Sequence, residues 1–118
     1  MSTLQERFEQ MTWEQQLGNL ASTLARVSSN TSIIAHDELI QQLLREAAYF
    51  VEWSVPHTPK KYWLELAAIQ REVLAWWEVW PLEGARPLLA LHARNQSDRL
   101  LHLAGYWDEV MPDETKKT

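Results

Sequence analysis

The stretch LAWWEVWP, Leu74–Pro81, places three tryptophans (Trp76, Trp77 and Trp80) within five residues and ends on a proline. Proline has no N–H to donate and disfavours a helical residue before it, so a helix entering this stretch stops at Trp80. Reading backwards from Trp80, apolar residues recur at three-four spacing as far as Pro59, which predicts a helix over 59–80. On a wheel of about 100° per residue, Tyr62, Trp63, Leu66, Ala67, Ile69, Val73, Leu74, Trp76, Trp77 and Trp80 fall together. Only Gln70 interrupts them, while Lys61, Glu65, Arg71, Glu72 and Glu78 hold the other side. The apolar arc spans roughly 180°, where a helix facing one core needs little more than about 100°. All three tryptophans lie inside it and thicken one side of the helix.

The same spacing continues outward. Leu4, Phe8 and Met11 make a short amphipathic arm over residues 1–11. Thr12-Trp13-Glu14-Gln15 has the pattern of a capping box, with Trp13, Leu17, Leu20, Leu24 and Val27 as the stripe of the helix it opens. The polar run SSNTS, residues 28–32, is expected to close that helix. The next helix is predicted from Ile33 to Val55, stopped by Pro56, with Tyr49 and Trp53 on its polar side. Thr58-Pro59 reads as the cap and first position of the Trp-rich helix. A fourth helix is expected from Pro87 to about Val110, with Trp107 near its end and a break possible at residues 94–98. Gly105 inside it marks either a close helix approach or the helix end. The expected fold is an all-α, up-down antiparallel four-helix bundle. The bundle domain is placed at 12–111, the arm at 1–11 and a disordered tail at 112–118. A three-helix core with a swapped fourth helix and an intertwined dimer are the competing arrangements.

Composition narrows the function. The chain has 118 residues, a formal net charge of −5 and no cysteine, so disulfides, thiolate metal sites and cysteine nucleophiles are excluded. Lysines and arginines form no basic stripe, which argues against nucleic acid as a main ligand. No apolar run reaches the roughly 20 residues that span a bilayer, and the N-terminus MSTLQERFEQ lacks the apolar core of a signal peptide. The expected location is cytoplasmic. Three glycines cannot build a phosphate-cradling loop or a dinucleotide fingerprint. No Glu-x-x-His or His-x-x-x-His pair is present, so no metal or other cofactor is implied.

Two functional expectations follow. The wide arc needs more cover than one small bundle supplies, and clustered aromatics are the usual mark of an interface core. A non-catalytic interaction protein is therefore expected, as a homodimer or a small adaptor. Its contact surface would use Trp63, Trp76, Trp77 and Trp80, supported by Tyr49 and Trp53. The alternative is a metal- or ligand-binding bundle or enzyme. There His36, Asp37, His92 and Gln96 would line a polar pocket at one bundle end, closed by Trp76 and Trp80. The spacing from Arg86 to His92 in RPLLALH is also similar to the Arg-to-His spacing of HEPN-type helical ribonuclease domains. That resemblance would imply RNA processing by those two residues. It covers only this spacing, and Pro87 stands where those domains usually carry a polar residue.

Overall fold

The computed structural model describes residues 2–106, and every regular element among them is helical. A short α1 (Leu4–Glu9) precedes four long helices: α2 (Trp13–Asn30), α3 (Asp37–Ser54), α4 (Trp63–Val79) and α5 (Arg86–Leu103). Trp107, Val110 and the tail at 112–118 lie outside the described residues. No described helix is long and apolar enough to cross a membrane.

Two capping boxes fix the start of the chain. Thr3 and Thr12 each accept the backbone N–H three residues on, at 3.1 Å, and Glu6 and Gln15 reach back to the cap N–H groups. These bonds satisfy amides that a helix N-terminus would otherwise leave without acceptors. The ends of α3 and α4 and the start of α5 fall within one residue of Val55, Trp80 and Pro87, as expected; the other ends depart from the sequence expectation, each for a local reason. Residues 28–30 of the SSNTS run stay in α2, because Ser29 and Asn30 donate their side chains to the Arg26 carbonyl one turn earlier. Ile33 and Ile34 are exposed and lead into a 3-10 turn, so the α-helix begins only at Asp37. Thr58 does not cap the Trp-rich helix. Its hydroxyl donates back to the Ser54 carbonyl at 2.8 Å, closing the previous turn, and a further 3-10 turn (Lys60–Tyr62) comes before α4. The α5 helix runs unbroken through residues 94–98 and ends at Leu103, short of the expected Val110. Gly105 closes that turn at φ +90°, a backbone conformation that costs other residues energy through their Cβ.

The core is one cluster. Leu17, Leu20, Leu24 and Val27 of α2 meet Ile40, Leu44, Ala47 and Val51 of α3. Leu66, Ile69 and Val73 of α4 and Leu89, Ala93 and Leu100 of α5 complete it. The arm is part of this core: Phe8 is buried, stacked on Phe50 with ring centroids 4.4 Å apart, and its carbonyl accepts from Gln16 Nε2 at 3.0 Å.

The backbones of α2 and α5, α2 and α3, and α3 and α4 pack closely, whereas α4 and α5 do not. Side-chain bonds set the heights. Ser28 donates to the Ala90 carbonyl and Ser97 to the Ala21 carbonyl, so numbers rise on α2 as they fall on α5. Gln70 donates to the Ala48 carbonyl and Gln41 to the Trp77 carbonyl, giving α3 and α4 the same relation. The α4–α5 side is bridged by exposed polar groups instead: Arg99 with Glu65, and Gln96 with Glu72.

Candidate functional site

The wide apolar arc of α4 divides into two adjacent stripes. Leu66, Ile69, Val73 and Trp80 are buried and face the core. Trp63, Ala67, Gln70, Leu74 and Trp77 repeat at four-three spacing about 100° further round the helix. This second stripe is open: Leu74 is 44% exposed, and Trp63 and Trp77 are each 38% exposed.

Beside it, α3 presents Ala48 and Tyr49, and the two helices enclose a groove of about 420 Å³. Leu74 and Trp77 form one bank, Ala48 and Tyr49 the other, with Gln70 between them and Arg45 and Glu52 at the α3 rim. Tyr49 is 41% exposed and stacks on Trp53 at 5.5 Å, while the Arg45 guanidinium lies over its ring at 5.6 Å. A second depression lined by Leu4, Phe50 and Trp53 shares Arg45 and Tyr49 with the first. The open apolar surface therefore continues from α4 across α3 to the arm. Gln70 donates its Nε2 to Ala48, but its buried Oε1 has no donor among the described residues.

The six residues expected at the contact surface thus separate. Trp77 and Tyr49 wall the groove, and Trp53 extends it. Trp63 lies further along the open stripe, its indole N–H donating to the Thr58 carbonyl at 2.8 Å. Trp76 is half-buried and meets His92 in a T-shaped arrangement, at 6.4 Å between ring centroids. Trp80 sits in the core, its ring 5.0 Å from the Arg86 guanidinium. The α3 contribution from Arg45, Ala48 and Glu52 is not legible in residue spacing, because which flank of α3 borders α4 depends on how the helices pack.

The four residues expected in one polar pocket are not brought together. His36 bonds Asn30 through Nδ1 at 2.7 Å. His92 and Gln96 converge on Glu72 in an exposed cluster, at 3.3 and 2.7 Å. Asp37 joins Arg86 in a bidentate pair at 2.7 and 2.8 Å. Among the described residues, no three His, Asp or Glu side chains are placed to hold a metal ion.

Arg86, buried at the start of α5, uses all five of its N–H groups. Its Nε donates to Glu83, one terminal nitrogen to Asp37 and the Thr31 carbonyl, and the other to Asp37 and Glu83. The hydrogen bonds from Arg86 hold the Asp37 carboxyl below the usual carboxylate range against the opposing effect of desolvation, with their charge attraction adding to the shift. The bonds to Asp37 and then Glu83 raise the guanidinium pKa in turn. This arrangement ties the 3-10 turn before α5 to the start of α3 and leaves Arg86 no free donor for a phosphate. No protein-family model, curated protein or solved structure matches the chain.

Proposed function

We propose that this chain is a non-catalytic interaction protein: a cytoplasmic, up-down antiparallel four-helix bundle that docks a protein partner on the α3/α4 groove, as a homodimer or a small adaptor. The opposed numbering of the α2/α5 and α3/α4 bonds supports the bundle topology. One observation carries the functional reading. The open stripe of α4 repeats at the spacing with which a helix seats a neighbouring helix, yet among the described residues no helix covers it. Trp77 and Tyr49 supply the rigid, amphipathic contact area that dominates interface energetics, and the formal charge of −5 favours a protein partner over nucleic acid.

A photo-reactive side chain introduced in native cells at the position of Leu74, and separately at that of exposed Arg26 on α2, tests the proposal. Covalent adducts of higher mass are expected from position 74 and not from position 26. Absence of adducts from position 74, or equal yields from both, would remove the reading.

A further inference from the structure

The two rims of the groove carry four charges without an oppositely charged neighbour among the described residues: Arg45 and Glu52 on α3, and Arg71 and Glu78 on α4. Each pair is seven residues apart, so both members lie on one face of their helix. Arg45 and Glu52 line the groove, while Arg71 and Glu78 flank the Leu74–Trp77 stripe on its solvent side.

Their heights follow from the bonds that set the register. Ala48 lies level with Gln70, and Gln41 with Trp77. Helical side chains lean toward the N-terminus of their own helix. With α3 and α4 opposed, Glu52 and Arg71 lean toward each other's level, and so do Arg45 and Glu78 about two turns, roughly 10 Å, further along. Each level of the groove thus has one sign on the α3 rim and the opposite sign on the α4 rim, held apart by the apolar floor.

That pattern is self-complementary about a two-fold axis running along the groove. Such an axis exchanges the rims, laying α4 of one copy over α3 of the other. Arg71 then meets the partner's Glu52 and Glu78 meets the partner's Arg45, each contact occurring twice. Leu74 and Trp77 enter the facing groove beside the partner's Ala48. A two-fold axis across the groove near Leu74 would instead set Arg45 against the partner's Arg45. Isologous association requires one patch to complement itself. These four charges do so about the axis along the groove; an axis across it midway between the two levels would pair Arg45 with the partner's Glu52 and Arg71 with the partner's Glu78, an arrangement in which the double variant below would stay as weak as the singles. Resting on the reading of the groove as a docking surface, we infer that its occupant is a second copy of this chain, with α4 packed against the partner's α3.

Sedimentation equilibrium tests this up to about 1 mM, the weak end of specific association. The wild-type chain is expected to dimerise. Arg71→Glu and Glu52→Arg each turn two attractions into two repulsions, and each should raise the dimer Kd about tenfold, or 1.4 kcal/mol. Combining both changes in one chain should return Kd to within about threefold of wild type, and mixing the two single variants should yield the mixed dimer. All four side chains are free of ion pairs among the described residues, so circular dichroism of the variants should match wild type. A monomeric wild type, a Kd indifferent to the single reversals, or a double variant as weak as the singles would overturn the inference. Adducts from position 74 to a different protein, with the chain itself monomeric, would reject the second copy while keeping the docking surface. Absence of adducts would reject the docking surface itself.

Discussion

Arg86 makes five side-chain hydrogen bonds, and their acceptors define its role. A guanidinium with five bonds to Asp37, Glu83 and the Thr31 carbonyl is a brace between two helix starts. Its consequence for pH follows from Asp37, whose folded pKa is depressed by these bonds. A depressed carboxylate contributes stability that is present above its unfolded pKa, about 3.9, and is lost as pH falls through the folded value. Asp37→Asn should therefore lower the urea midpoint at pH 6, with the gap to wild type closing below about pH 4. A gap that persisted unchanged at pH 3 would show that the carboxylate charge is not what matters at this position.

At the scale of elements, the arm and the Thr12 cap are the sharpest tests. Phe8→Ala removes a buried ring packed on both Phe50 and Trp53, and should cost about 3 kcal/mol or more of unfolding free energy. Trp53 emission should shift to the red as water reaches its face. Thr12→Ala loses a side-chain cap, worth about 1 kcal/mol and a fall in Tm of roughly 5 °C. The Thr12 box was legible because both of its bonds lie within four residues of chain. The helices themselves were legible for the same reason, since three-four periodicity is local. Thr58 was not, because the turn before it competes for its hydroxyl. The width of the α4 apolar arc could be read from a wheel, but its division into a buried and an open stripe is decided by where α3 sits. His36, Asp37, His92 and Gln96 share one end of a schematic bundle, yet they bond to three different partners: Asn30, Arg86 and, for the last two, Glu72. Burial of Arg86 and Ser97 carried no sequence signal, because both residue types are ordinarily exposed.

For the molecule as a whole, the proposed docking surface predicts a variant that separates association from folding. Trp77→Ala should keep the helical circular dichroism and shift Tm by no more than a few degrees, while weakening assembly by about 2 kcal/mol or more, some thirtyfold. Unchanged assembly measured by light scattering would place the contact elsewhere. The seam between α4 and α5 has a consequence of its own. There the backbones stand apart and exposed carboxylates span the gap. Added salt screens such bridges far more than it affects buried packing. Moderate salt should then speed deuterium uptake at the α4 amides before those of α2, and a partner seated on the opposite side of α4 should slow it again. The helix that offers its indoles outward is thus hung on a loose wall, and occupancy would be felt first as a stiffening of that wall.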